Sequence, residues 1–157
     1  MSSDVVESTV QEVLEEVVSA LGLKGSIEVE SGDEVVTGTV HGDDLGLFIG
    51  RHGQTIDAVQ HLIFRIVLTR GGGAGAGDLR VVIDAEGYRA RREEALQRLA
   101  DQAAEDARRQ GRPVALDVMT ASERKLVHEY LRDRGGVETY SEGEEPDRHL
   151  IVAPRAI

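Results

Sequence analysis

A chain of 157 residues accommodates one domain of ordinary size or two small ones, and its 40% hydrophobic content suffices for a core. Aromatic residues make up only 3%, so Val, Leu, Ile and Ala must do the packing, and the absence of cysteine excludes disulfides, thiolate metal sites and cysteine nucleophiles. The net charge of −11 argues at first sight against a polyanionic partner, but residues 1–45 hold eleven acids and one base, whereas residues 46–157 hold eighteen acids and seventeen bases; local potential, not net charge, decides whether a phosphate is welcome.

In chain order, Asp4 and Glu7 have the spacing of a capping box. Val6, Val10, Val13, Val17 and Leu21 recur at helical intervals and Gly22 suits a C-terminal cap, which predicts an amphipathic helix over 4–21 with an acidic outer face. Ile27 and Val29 alternate with acids, Ser31-Gly32-Asp33 reads as a turn, and Val35 to Val40 completes a hairpin. Asp43 or Asp44 is expected to cap a short helix ending at Gly50, and a longer helix runs from about Gln54 to Leu68. The glycine-rich stretch 71–77 is low-complexity and precedes a strand from Leu79 to Asp84. A long, charged, Ala-rich helix is predicted over 86–110, stopped by Gly111 and Pro113. Val114 to Val118 reads as a strand. Thr120 and Glu123 form a second capping box, opening a helix to about Arg134, and strands follow at Val137–Ser141 and His149–Val152.

Two motifs carry chemistry. In Gly50-Arg51-His52-Gly53, two glycines let a backbone come close to a phosphate, and the basic pair between them supplies a fixed charge at Arg51 and a hydrogen-bonding imidazole at His52. The helix that follows points its positive dipole end and free N–H groups at the same place. Replacing both glycines by Asp is expected to remove binding and keep the fold. The second motif is Arg124-Lys125-Leu126-Val127-His128, which stacks Arg124 and His128 one turn apart, with Arg132 continuing the row and Lys125 flanking it. Leu126, Val127, Tyr130 and Leu131 are expected to face the core. This row reads either as a ligand-binding cation face or as a structural network in which His128 orients the turn before its helix. Arg89, Arg91, Arg92 and Arg98, interleaved with Glu93 and Glu94, read as i,i+4 ion pairs on a solvated helix. His41, His61 and His149 have no ligand spacing, and Glu142, Glu144, Glu145 and Asp147 lack the pattern of a calcium loop. Nothing suggests catalysis, a metal or a cofactor: there is no Gly-x-Ser-x-Gly, no Walker loop and no paired His ligands. Phe48 and Phe64 are expected in the core, which limits base stacking.

The glycine motif, with Ile49 before it and Gln54-Thr55-Ile56 after it in an α-β-β-α-α-β order, resembles a K-homology (KH) domain of the prokaryotic, type II arrangement. The Arg-x-x-x-His helix resembles the domain named after that motif, which binds single-stranded nucleic acid. Together with Asp84-Ala85-Glu86-Gly87-Tyr88-Arg89 at the junction, the chain resembles the Jag family, also called SpoIIIJ-associated proteins or KhpB, over about residues 4–157. The fold expected is α+β: a type II KH domain over 1–86, a connecting helix over 87–111, and a small α+β Arg-x-x-x-His domain over 112–157. Many members carry an additional N-terminal domain, and this sequence opens directly at the first KH helix.

The resemblance implies a non-enzymatic bacterial protein that binds single-stranded RNA through Gly50, Arg51, His52, Gly53, Arg124, Lys125, His128 and Arg132, without a cofactor. It further implies post-transcriptional regulation or RNA chaperoning linked to cell elongation, division and envelope growth, with a small single-domain KH protein or a second copy as partner. The alternative is an adaptor at the division or membrane-insertion machinery, for which the acidic residues 1–45 speak. A cytoplasmic location without membrane insertion is expected, since no apolar run nears the roughly 20 residues of a span and the first residues lack the pattern of a signal peptide.

Overall fold

The computed structural model describes residues 3–71 and 78–156; residues 72–77 of the predicted glycine-rich stretch lie outside the described residues. The chain divides into two compact units, Met1–Arg89 and Ala90–Ile157. Among the described residues no helix is long and apolar enough to cross a membrane.

The first unit runs α1 (Ser3–Ala20), β1 (Ser26–Ser31), β2 (Val35–His41), α2 (Gly46–Ile49), a 3-10 turn over Arg51–Gly53, α3 (Gln54–Arg70) and β3 (Arg80–Ala85). This is the α-β-β-α-α-β order expected of a type II KH domain. Its sheet has the order β1-β2-β3: β1 pairs antiparallel with β2 across the hairpin, and β3 pairs parallel with β2 in the register Val36↔Val81, Gly38↔Ile83 and Val40↔Ala85. Those six residues share one face and are buried, as a strand period of two requires. α1 and α3 both contact this sheet and each other.

The buried stripe of α1 is Val6, Val10, Leu14 and Val18, with Val13 and Val17 partly buried and Leu21 exposed. The predicted stripe through Val13, Val17 and Leu21 is therefore rotated. The cause is Gly38 in the central strand: a Cβ there would lie 2.6 Å from Val10 Cγ1 and 2.7 Å from Leu14 Cδ1, so the missing side chain admits those two residues. At the helix start, Asp4 lies inside α1, not at its cap, and the Glu7 carboxylate accepts from the hydroxyls of Ser3 and Ser31. At the other end the N–H of Leu23 bonds to Val18 O and that of Gly22 to Ser19 O, both at 3.0 Å, the pair of bonds that closes a helix at glycine.

α4 (Tyr88–Gln110) begins at the end of the first unit and supplies a wall of the second. The predicted connecting helix thus has a core face of its own: Leu96, Ala100, Ala103, Ala104 and Ala107 are buried with Met119, Val127, Leu131, Val137, Leu150 and Val152. The second unit continues with β4 (Val114–Ala115), α5 (Ala121–Leu131), β5 (Val137–Glu142) and β6 (His149–Pro154), in an antiparallel sheet of order β4-β6-β5. β4 is shorter than the predicted Val114–Val118, because ladder pairing ends at Ala115 and the chain turns toward the cap of α5. That cap is the predicted box: the Glu123 N–H donates to Thr120 Oγ1 at 3.3 Å, and the Thr120 N–H donates to Glu123 Oε2 at 3.4 Å. α5 ends at Leu131, three residues short of Arg134.

Candidate nucleic-acid interface

α2 is a single turn anchored by Phe48, which is fully buried, and its last N–H groups close on Leu45 O and Gly46 O. Leu45 holds the N-cap position with no side-chain bond, so neither Asp43 nor Asp44 caps this helix. The chain then reverses into α3 within four residues. Gly50 has φ 75° and ψ 176°, His52 φ 54° and ψ 26°, and Gly53 φ 78° and ψ 14°. Three of four residues therefore sit at positive φ, a turn that side chains resist. The hinge is held by Ile56, Val59, Ile63 and Val67, the buried stripe of α3. Arg51 projects into solvent and His52 is half-exposed, while Gly53 is buried.

The two glycines are required for different reasons. A Cβ on Gly50 would lie 2.2 Å from Thr55 Oγ1 and 2.8 Å from the Thr55 amide nitrogen. A Cβ on Gly53 would meet the Tyr88 ring at 3.0 Å. The expectation that Asp at both positions keeps the fold is thereby corrected, because Gly50 has no room for any side chain. Charge placed on Arg51 and His52 probes the loop without touching that packing.

The charge of this region is opposite to that of the chain. Residues 46–71 contain Arg51, Arg65 and Arg70 against the single acid Asp57. The outward residues of α3 are Gln54, Ala58, His61, Leu62, Arg65, Thr69 and Arg70, none acidic. Asp57 lies in the first turn of α3, where its carboxylate would oppose a phosphate, but Arg89 Nη1 holds it at 2.9 Å. The same guanidinium donates to Gln60 Oε1 at 3.0 Å and to Ile83 O at 2.7 Å, and Gln60 Oε1 also accepts the Ile83 N–H. One arginine from the junction thus neutralises Asp57 and ties α3 to β3. Arg92 likewise pairs across the second unit with Glu123 at 2.7 Å. These bonds cross between elements, unlike the i,i+4 pairs that helical spacing predicts for both residues.

His41, predicted as structural, ends β2 between two carboxylates: Nε2 lies 2.7 Å from Glu28 Oε2 and Nδ1 lies 3.2 Å from Glu86 Oε1. The bond to Glu28, seconded by Glu86, raises its pKa above the usual imidazole value. Glu86 also accepts from the Gly42 N–H at 3.0 Å and has φ 48°, followed by Gly87 at 68°. The string Glu86-Gly87-Tyr88-Arg89 is therefore a built corner: Glu86 ties it to β2, Tyr88 backs Gly53, and Arg89 fixes the base of α3.

In the second unit the predicted row divides. Arg124 is only 8% exposed; it donates to Met119 O at 2.6 Å and Arg148 O at 3.4 Å, and pairs with Glu145 from the acidic turn. It clips the approach to α5 to the β5–β6 turn and does not present a charge to solvent. His128 is exposed, and its Nδ1 is engaged by Thr139 Oγ1 of β5, which leaves Nε2 for another partner. Lys125 is exposed, with Glu129 at 4.0 Å, and Arg132 is exposed at the C-cap in helical conformation. Lys125, His128 and Arg132 thus remain as the accessible cations of the row. Val127 and Leu131 are buried, and Leu126 and Tyr130 pack partly against them. Among the described residues no three His, Asp or Glu side chains gather as a metal ion would need.

A glycine hinge feeding α3 on this mixed sheet, followed by a helix with an inward Arg and an outward His, defines a KH domain followed by an Arg-x-x-x-His domain. Family models agree in extent: the one described as KhpA/KhpB, KH domain matches residues 7–73, and the one for the Arg-x-x-x-His domain matches residues 94–154. A protein of Clostridium symbiosum named RNA-binding protein KhpB is 37% identical over 144 residues, which is 90% of this chain and 63% of that protein. Its namesakes in Lactiplantibacillus plantarum and Bacillus subtilis are 38% and 32% identical, over 88% and 89% of this chain and 42% and 66% of their own lengths. The chain belongs to the KhpB family, and it spans about two fifths to two thirds of the length of these relatives.

Proposed function

We propose that this protein binds single-stranded RNA, without catalysing a reaction on it, by holding a backbone phosphate at Gly50-Arg51-His52-Gly53. The observation that carries this reading is the hinge itself: backbone at positive φ, an outward Arg51, and the opening turn of a 17-residue helix whose one acid is already paired with Arg89. Its relatives' name, RNA-binding protein, supports RNA over other polyanions. Lys125, His128 and Arg132 add a second phosphate-contacting face, and carrying both on one chain raises avidity through effective concentration.

The test is fluorescence anisotropy with a pool of short single-stranded RNAs at several salt concentrations, comparing wild type with the Arg51→Glu/His52→Glu variant. Affinity should fall at least about tenfold at low salt, and the dependence on log salt should flatten by about one ion. Unchanged affinity and slope in the folded variant would overturn the assignment.

In the cell we assign the protein to post-transcriptional regulation or RNA chaperoning linked to elongation, division and envelope growth, in the cytoplasm, with a small single-domain KH protein or a second copy as partner. The exposed acids Glu15, Glu16, Glu28 and Glu30 on α1 and β1 favour a second reading, an adaptor that works through protein partners. Crosslinking RNA to the protein in cells separates the two, since an adaptor recovers little RNA.

A further inference from the structure

We propose that the crevice between α4 and α5 is a slot for one unpaired guanine, giving base selectivity that phosphate contacts alone cannot give; this rests on the RNA-binding reading above. The crevice has a volume of about 480 Å³, within the range of small-ligand sites and near its lower end, as one nucleotide requires. Glu93 and Gln97 of α4 form one wall; Ser122, Lys125, Glu129 and the apolar pair Leu126 and Tyr130 of α5 form the other.

Tyr130 is fixed before any ligand arrives. Its hydroxyl donates to Asp101 Oδ2 at 2.9 Å and accepts from Arg134 at 3.0 Å, and the Arg134 guanidinium carbon lies 4.8 Å from the ring centroid. An aromatic wall already ordered loses little entropy when a base packs against it. The polar groups then select the base. Glu93 and Glu129 are exposed carboxylates, and the Lys125 ammonium stands 4.0 Å from Glu129, too far to satisfy either group. The lining therefore offers two acceptors and one strong donor.

Guanine is the RNA base whose Watson–Crick edge carries two donors, N1–H and N2–H, beside one acceptor, O6. Adenine offers one donor and one acceptor there; cytosine and uracil each offer one donor and two acceptors. A carboxylate accepting from N1–H and N2–H, with Lys125 donating to O6, pairs every group of guanine and leaves a mismatch for each of the others. The same two carboxylates discourage a phosphate in the slot, so the strand's backbone falls to Lys125, His128 and Arg132 outside it.

The experiment is titration of the full, isotopically labelled chain with 5′-GMP, AMP, CMP and UMP, followed by amide chemical shifts. GMP should cause saturable shifts at Gln97, Ser122, Leu126 and Tyr130, with each other nucleotide at least about tenfold weaker. The Glu93→Gln/Glu129→Gln variant should reduce GMP to the level of the rest while its unfolding midpoint stays that of wild type. Equal shifts from all four nucleotides, or none from GMP, would overturn the slot. If RNA binds without guanine preference while GMP is silent, the slot fails and the RNA-binding reading stands; if GMP titrates but no RNA binds, the reverse holds.

Discussion

Replacing Gly50 by Ala should unfold the first unit far more readily than the same change at Gly53, although both glycines have φ near 75°. At Gly50 the pair φ 75°, ψ 176° falls in a region that is essentially glycine-only, where a side chain costs about 1–3 kcal/mol. The added Cβ would also stand 2.2 Å from Thr55 Oγ1 and 2.8 Å from Thr55 Cβ and N, and overpacking against a helix start adds about 1–3 kcal/mol. A total of about 3–4 kcal/mol follows from these two costs. At Gly53 the conformation is ordinary left-handed helical, costing about 1–2 kcal/mol, and the Tyr88 ring at 3.0 Å can tilt away. For a unit of this size each kcal/mol moves the midpoint by about 4–8 °C, so Gly50→Ala should lower it by about 12–30 °C and Gly53→Ala by about 4–16 °C. Thermal unfolding followed by NMR reads the amides of residues 3–71 separately, with those of the second unit as internal control. Adding Thr55→Ala to Gly50→Ala should recover only part of the loss, since the amide contact and the backbone strain remain. A Gly50→Ala variant as stable as wild type, or no less stable than Gly53→Ala, would refute the reasoning.

Two further outcomes are expected. His41 has a pKa raised in the folded state, first by Glu28 and then by Glu86, so its contribution to stability is complete below the ordinary imidazole value of about 6.5 and is lost as pH rises through the raised value. Urea midpoints of the first unit should therefore fall across that window, and His41→Gln should abolish the trend; an NMR titration placing His41 at or below the ordinary value would contradict this. Arg124→Met removes the donors to Met119 O and Arg148 O and the partner of Glu145, and should destabilise the second unit by about 3 kcal/mol. Lys125→Ala and Arg132→Ala should change stability by less than about 0.5 kcal/mol yet weaken RNA binding, as urea unfolding and anisotropy together would read.

What could be read from the sequence was whatever repeats or closes locally. The alternation of Val36, Thr37, Gly38, Thr39 and Val40 marks a strand, Thr120 and Glu123 sit three residues apart at a helix start, and Gly-Arg-His-Gly stands between two apolar helices; each depends on neighbours within a turn or two, so periodicity and spacing capture it. What only the tertiary structure decided depends on residues far apart in the chain. Gly38 selects the face of α1 that is buried, Arg89 reaches 32 residues back to Asp57, Arg92 reaches 31 forward to Glu123, and Arg124 turns inward to Glu145 while His128 stays outside. An arginine's charge is visible in sequence, but whether it meets a carboxylate, a carbonyl or solvent is fixed by the packing around it, and that packing divided the basic residues of this chain into anchors and accessible cations.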